Sequence, residues 1–167
     1  MQIRIAGVIS ESVVDGVSVR YTIFTQGCLR HCSGCHNKRT WDPRGGYDAD
    51  TDDLIREFTS NRLISGITLS GGEPMLQPEP CLAIARAARA AGLTVWMYTG
   101  YRIEDLIVMR DSNVVIENLI RNIDVVVDGA FDMSLRSLDL PWRGSRNQNI
   151  IYLKDGKIDR IESEGIL

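Results

Sequence analysis

The sequence predicts an α/β fold, a partial (open) βα barrel with a mostly parallel curved sheet and a C-terminal β-hairpin. Strand-type and helix-type segments alternate from residue 50 to residue 128, an order that produces parallel strands with right-handed crossovers. The 167 residues fall short of the roughly 200 that a closed eight-stranded barrel needs. We therefore expect one domain over residues 1–167, with the hairpin at 150–162.

Composition and charge exclude several classes of protein. With 44% hydrophobic and 25% charged residues, the chain is typical of a globular protein. Its net charge of −3 gives no reason to expect nucleic acid as a partner. No apolar run approaches the length of a membrane span, and the N-terminus lacks the layout of a signal peptide. We expect a cytoplasmic protein whose clustered cysteines serve metal binding or catalysis rather than disulfides.

The first two strands are predicted at residues 3–9 and 18–26, where β-branched residues are frequent, with a turn at Asp15-Gly16 between them. The second strand runs directly into Gly27 and Cys28. The loop that follows therefore starts at the C-terminal end of a strand. In parallel α/β folds, loops at this edge converge on one crevice, which is where binding sites form.

The remaining elements follow in alternation. They are a helix at 50–60, a strand at 64–70, a helix at 80–91, a strand at 93–98, helices at 103–109 and 114–122, and a strand at 123–127. The first of these helices has Asp50 or Thr51 as its cap, and Gly92 ends the alanine-rich second one. At the C-terminus, apolar segments flank Lys-Asp-Gly-Lys at 154–157, which predicts the hairpin.

Three of the four cysteines, Cys28, Cys32 and Cys35, share one short loop at a CxxxCxxC spacing. Thiolates select zinc, copper(I) or iron–sulfur clusters. A 4Fe–4S cubane normally takes four cysteines, so this loop would leave one iron open to another ligand. A structural zinc ion is bound by four protein ligands, and His31 or His36 is available as the fourth. A disulfide with a spare thiol is a third reading, but the close spacing favours the cluster.

A second motif, Ser-Gly-Gly-Glu-Pro at 70–74, ends the strand that begins at residue 64. Glycines at a strand end let a ligand approach the backbone closely, and the carboxylate of Glu73 suits an ammonium group. A simple turn before a helix is the alternative reading. Beside a cluster with one iron that lacks a protein ligand, however, the turn has a binding role. An amino acid that chelates this iron would present its amine to the turn.

Together, the cysteine loop and the GGEP turn resemble the radical S-adenosylmethionine superfamily, and the resemblance covers most of the chain. Within it, the sequence resembles the activating proteins of anaerobic (class III) ribonucleoside-triphosphate reductases. The closer similarity is carried by residues 27–35, 37–38, 40–41, 70–74, 98–101, 127–129, 131, 142–145 and 147–148. One departure lies before Arg20, where related enzymes have Gly-Pro-Gly and this chain has Asp-Gly-Val-Ser-Val.

The resemblance implies a specific chemistry. One 4Fe–4S cluster per chain would be held by the three loop cysteines, with the methionine end of S-adenosylmethionine on the fourth iron. One-electron cleavage of that cofactor would give a 5′-deoxyadenosyl radical, and the protein would install a glycyl radical on the glycine loop of a large anaerobic reductase subunit. The electron would come from a low-potential donor such as flavodoxin.

The resemblance also implies roles for single residues. The candidates for binding the cofactor are Gly34, Cys35 and His36 on its adenine side, Gly71, Gly72 and Glu73 at the methionine amine, and additionally Thr99 and Asp128. For Asp128 a monovalent cation or water is the alternative ligand. The polar loop at 143–148 would contact the partner's glycine loop or the cofactor, or be an exposed turn. We expect no catalytic residue beyond the cluster and the cofactor, and Cys81 to be a core residue.

Two rival functions remain open at this point. One stays in the superfamily: an activase of another glycyl-radical enzyme, or a small-molecule enzyme such as a deazaguanine synthase. The other is a zinc-binding interaction module that uses the cysteines and His36 as ligands.

Overall fold

The computed structural model describes residues 1–163 as an eight-stranded sheet with four α-helices. In chain order the elements are β1 (Gln2–Ser12), β2 (Arg20–Thr25), β3 (Tyr47–Asp50), α1 (Thr51–Ser60), β4 (Gly66–Gly71), α2 (Pro78–Ala90), β5 (Thr94–Tyr98), α3 (Ile103–Ser112), α4 (Val114–Arg121), β6 (Val125–Asp128), β7 (Asn149–Lys154) and β8 (Lys157–Glu162). The last four residues of the single domain predicted over 1–167 lie outside the described part. That domain assignment stays a prediction.

The sheet has a parallel centre and antiparallel flanks. Its strand order is β3-β1-β2-β4-β5-β6-β7-β8. Neighbouring strands from β2 through β4 and β5 to β6 are parallel, whereas β1, β3, β7 and β8 join antiparallel. The two ends of this strand order remain edges, so the sheet is not closed. The predicted α/β class, with an open sheet and a C-terminal hairpin, is confirmed.

Local sequence explains most element boundaries. The side chain of Asp50 accepts a hydrogen bond from the Asp52 backbone N–H at 2.9 Å, which caps α1 as predicted. In the hairpin, Asp155 and Gly156 both have positive φ, 51° and 74°. Those values suit the type I′ turn that two-residue hairpins favour. The predicted helices and strands occur within a few residues of the expected bounds.

Strand β3 was absent from the sequence-based prediction. Its four residues, Tyr-Asp-Ala-Asp, lack β-branched side chains and show no buried alternation. It forms because β1 has a free edge, along which Gln2 pairs with Asp50 and Ile5 with Tyr47. A strand created by pairing to a distant segment carries little signal of its own.

The two faces of the sheet have separate apolar layers. All four helices cover one face, where their buried residues pack with alternate strand residues such as Ile23, Leu69 and Met97. The opposite face carries a smaller cluster around Trp96 and Val127. No helix among residues 1–163 is long and apolar enough to cross a membrane.

Arg20 lies on this second face and is 1% exposed. Its guanidinium donates to the Thr68 hydroxyl at 2.7 Å and the Thr94 carbonyl at 3.0 Å, and lies 5.4 Å from the Trp96 ring centroid. Burial lowers the pKa of Arg20 to about 10, so it remains charged at neutral pH. The residue therefore links β2, β4 and β5 at the end of the sheet away from the glycine turn that follows β4.

Candidate functional site

A cleft lies at the C-terminal edge of the parallel strands. It is lined by residues that follow β2, β4, β5 and β6 in turn, among them Cys28, Glu73, Thr99 and Gly129. Because parallel strands end at the same edge, the loops after them meet there. The structure thus brings the cysteine loop and the GGEP turn, which lie far apart in the sequence, to one cavity.

The cysteine loop is closed at its base by backbone hydrogen bonds. The Gly27 N–H donates to the Thr40 carbonyl at 2.8 Å, and the Cys28 N–H donates to the Trp41 carbonyl at 3.1 Å. All three cysteines of the loop line the cleft and are partly exposed, whereas Cys81 is buried. The loop therefore presents three thiols to an open cavity, and the fourth cysteine belongs to the core, as predicted.

The polar surroundings of the thiols differ. The backbone N–H of Asn37 lies 3.3 Å from Cys35 Sγ and donates to it. Burial raises the pKa of Cys28, and the backbone N–H groups of Arg30 and His31 partly offset this effect. The site therefore supplies backbone donors to sulfur, which suits thiolates that bind a metal cluster.

The spacing of the side chains bears on the type of metal site. Within residues 1–163, no three His, Cys, Asp or Glu side chains converge as a single metal ion requires. A closed tetrahedral zinc site is therefore not preformed. In a cubane each thiolate bonds a different iron, so its ligands lie farther apart than those of one ion.

The GGEP turn is attached to the base of the cysteine loop. The Gly72 N–H donates to the Thr25 carbonyl and the Glu73 N–H to the Gly27 carbonyl, both at 2.8 Å. A Cβ atom on Gly72 would lie 2.3 Å from the Gly27 carbonyl oxygen. Only glycine lets these two backbones approach so closely, so the turn and the loop form one unit.

The carboxylate of Glu73 is buried, with 2% of the residue exposed. It accepts hydrogen bonds from the Met75 N–H at 3.0 Å, the Thr99 hydroxyl at 2.9 Å and the Gly100 N–H at 2.8 Å. Burial raises its pKa, and these donors partly oppose the rise. Glu73 therefore connects the turn after β4 to the turn after β5. Its contact with an ammonium group stays a prediction.

The predicted site residues take different positions. Besides Glu73 and Thr99, the cleft is lined by Cys35, His36, Gly71 and Gly72. Gly34 lies beside it, and a Cβ there would be 2.1 Å from the Met133 Cε atom. The cofactor-binding role of each of these residues stays a prediction.

Asp128 is buried and fully engaged within the protein. Its Oδ2 accepts from the Ile103 N–H at 2.9 Å, at the start of α3. Its Oδ1 accepts from the backbone and side-chain N–H groups of Asn149 at 3.0 and 2.9 Å. The carboxylate thus joins α3 to β7 below the cleft. A cofactor role for Asp128 stays a prediction.

Two features of the cleft were not anticipated. Arg30 lines it, but no sequence signal distinguishes this arginine from others on polar loops. Trp41 also lines the cleft and stacks on the His31 ring, with 4.6 Å between centroids. From the loop at 143–148, Gln148 reaches the cleft and donates to the Gly129 carbonyl at 2.9 Å.

Comparison with known proteins gives consistent matches. Residues 14–151 match the family model described as a 4Fe-4S single cluster domain. The chain is 35% identical over 151 residues to the anaerobic ribonucleoside-triphosphate reductase-activating protein of Escherichia coli (strain K12). The aligned region covers 85% of this chain and 94% of that protein. The protein of the same name from Enterobacteria phage T4 is 33% identical over 150 residues, with 86% and 90% covered.

Among solved structures, QueE from Escherichia coli matches with a TM-score of 0.47 and 19% identity, over 60% of this chain and 53% of that one. This likeness is too weak to bear on activity.

Proposed function

Because the chain belongs to the family of anaerobic ribonucleoside-triphosphate reductase-activating proteins, we propose that it generates a glycyl radical on its partner reductase. It is a radical S-adenosylmethionine enzyme with a 4Fe–4S cluster, and its partner is the anaerobic ribonucleotide reductase. The observation that carries the proposal is the cleft where three partly exposed cysteines face the GGEP turn.

The residues present suit both groups. Cys28, Cys32 and Cys35 would hold three irons of the cluster, since all three thiols face the same open cleft. Gly71 and Gly72 have no side chains, so the amino-acid end of S-adenosylmethionine has room to approach their backbone. When bound, the cluster and the cofactor supply one electron and a 5′-deoxyadenosyl radical that abstracts a hydrogen atom.

The protein's own residues would position these groups and shield them. Glu73 holds the turns after β4 and β5 together, which keeps the floor of the cleft rigid. Cys35 and His36 line the cleft, and together with Gly34 they would lie on the adenine side of the cofactor. The cleft is open at one side, so a loop of a second protein has access to it. Removal of an α-hydrogen from a glycine requires such access, since the glycine that donates the hydrogen atom is part of another folded chain.

The electron must come from outside the chain. Three of its four cysteines occupy the proposed cluster loop, and Cys81 is 0% exposed in the core. A second cluster therefore lacks thiolate ligands. We propose a small low-potential one-electron donor such as flavodoxin, and a cytoplasmic location, where thiols stay reduced.

The test is formation of the glycyl radical. Anaerobically reconstituted protein, reductant, S-adenosylmethionine and the large subunit of an anaerobic ribonucleotide reductase are mixed, and the radical is recorded by electron paramagnetic resonance. We expect a glycyl signal and one 5′-deoxyadenosine per radical. A signal only with a different glycyl-radical enzyme, or none with any, would contradict the proposed partner. Stoichiometric zinc without iron in anaerobically purified protein would support the interaction-module alternative.

Cysteine variants test the ligand assignment. Cys28→Ala, Cys32→Ala and Cys35→Ala should each reduce cofactor cleavage by about a hundredfold or more, because the cluster loses one of three attachments. Cys81→Ala is the matched control, since Cys81 lies in the apolar core and its sulfur donates to the buried Pro74 carbonyl rather than facing the cleft. We expect the control to keep its iron and its cleavage rate. Cleavage that survives loss of a loop cysteine would refute the assignment.

A further inference from the structure

Arg30 is held across the cleft by packing rather than by hydrogen bonds. Its stem covers Gly100 so closely that a Cβ atom there would lie 2.2 Å from the Arg30 Cδ atom. Its guanidinium carbon lies 4.3 Å from the centroid of the Tyr101 ring, an attractive cation–π geometry. Arg30 therefore bridges the cysteine loop and the turn after β5 with its head group in a defined place.

The guanidinium has unused donors. In the described part of the chain its guanidinium stacks on the Tyr101 ring and is attracted by the Glu73 carboxylate without direct contact, and no hydrogen bond or ion pair engages its N–H groups. A guanidinium stacked on a ring keeps its edges free, and those edges match the two oxygens of a carboxylate. The arrangement is that of a preorganised carboxylate receptor.

The charges of the cleft point to the same kind of ligand. Of the residues in 1–163 that line it, Arg30 is the one with a permanent positive charge, and Glu73 is an acid on the same wall. The two do not pair directly, although both contact Gly100, whose N–H donates to Glu73 Oε2 at 2.8 Å. Arg30 and Glu73 thus lie on either side of Gly100 without forming an ion pair, and a base and an acid in this arrangement complement an α-amino acid, which carries a carboxylate and an amine on one carbon.

We propose that Arg30 binds the carboxylate of S-adenosylmethionine. This inference rests on the proposed function, which makes that molecule the occupant of the cleft. The carboxylate then accepts hydrogen bonds from the guanidinium N–H groups of Arg30, which the stacking on Tyr101 leaves free. Arg30 thereby adds selectivity for a ligand with an intact amino-acid end.

The experiment compares two ligands in the holoprotein. Equilibrium dialysis without reductant, so that no cleavage occurs, measures the Kd of S-adenosylmethionine and of its decarboxylated analogue, which lacks only the carboxylate. We expect the wild type to bind the intact ligand more tightly. Arg30→Gln should weaken intact S-adenosylmethionine about tenfold to a hundredfold, the usual effect of losing a charged hydrogen bond, and leave the analogue nearly unchanged.

Two further variants sharpen the result. Arg39→Gln removes the same charge from an exposed position on the same loop, outside the residues that line the cleft, and should alter neither Kd. Arg30→Lys keeps the stem and the charge but not the two-pronged head group, and should weaken only the intact ligand, by a smaller factor. Iron per chain shows whether Arg30→Gln assembles its cluster. If it does not, the Kd values of the two ligands are compared in Arg30→Lys instead.

Three outcomes would overturn the inference. They are an unchanged Kd for S-adenosylmethionine in Arg30→Gln and Arg30→Lys, an equal loss for both ligands, and an effect of Arg39→Gln as large as that of Arg30→Gln. These failures are distinct from failure of the proposed function, because reductive cleavage and the glycyl radical are measured on the wild type.

Discussion

Thr99 illustrates how a single hydroxyl connects two turns of the site. Its Oγ1 donates to Glu73 at 2.9 Å and accepts from the Tyr101 N–H at 3.1 Å, and the residue is 5% exposed. Both bonds are internal to the protein. The hydroxyl therefore has a structural role, and its contact with the cofactor stays a prediction.

We expect Thr99→Val to lower the free energy of unfolding by about 1–3 kcal/mol, because a buried carboxylate and a backbone N–H each lose a partner. Urea denaturation of the reconstituted protein measures this. The control is Thr59→Val, which removes an exposed hydroxyl that donates to the Ile55 carbonyl of α1, and should change stability by less than about 0.5 kcal/mol. Equal stabilities for wild type and Thr99→Val would show that the two turns are held together by other contacts.

At the scale of elements, the close approach of the β4 turn to the β2 loop depends on glycine. We expect Gly72→Ala to lower the iron bound per chain to below half of the wild-type value, since its Cβ would collide with the Gly27 carbonyl and push away the residue before Cys28. Iron and sulfide analysis after anaerobic reconstitution measures the effect.

The matched control for that substitution is Gly92→Ala. Gly92 follows α2 with φ of 75° and has no atom within 4 Å of a built Cβ, so alanine there meets only backbone strain of about 1 kcal/mol. This variant should be slightly less stable and bind full iron. If Gly72→Ala binds as much iron as Gly92→Ala, the contact between turn and loop does not position the cysteines.

At the scale of the whole molecule, the apolar core is separate from the cysteine loop. Both apolar clusters of the described residues come from the strands, the helices and short connections, and contain no residue of the loop at 28–41. A domain of this length buries enough apolar surface to fold by itself. The cluster is thus expected to be held by a fold that forms without it.

We expect protein stripped of iron by a chelator to keep its far-ultraviolet circular dichroism and a single cooperative urea transition. Phe58→Ala provides the contrast, because Phe58 is fully buried in the core and its truncation costs about 3–5 kcal/mol although the loop is untouched. Loss of cooperativity in the stripped wild type would mean that the cluster is part of the folding core.

Much of this architecture can be predicted from the sequence, since the signals are local. The cap at Asp50, the Asp155-Gly156 turn, the CxxxCxxC spacing and the GGEP turn each lie within a few residues. Strand β3 escaped prediction because its pairing partner, β1, lies more than 30 residues away. Asp128 could be recognised as a polar residue at a strand end, but its bonds to Ile103 and Asn149 could not.

The sequence by itself determined the fold class, the three thiols and the bare glycine turn, because spacing along the chain dictates what a loop or a strand end presents. Only the tertiary structure decided that Glu73 is occupied by donors from another turn, and that Arg30 is stacked on Tyr101 with its own donors free. Those contacts join segments brought together by the order of strands in the sheet. Such an order is set by the packing of the whole chain and is not encoded at either segment.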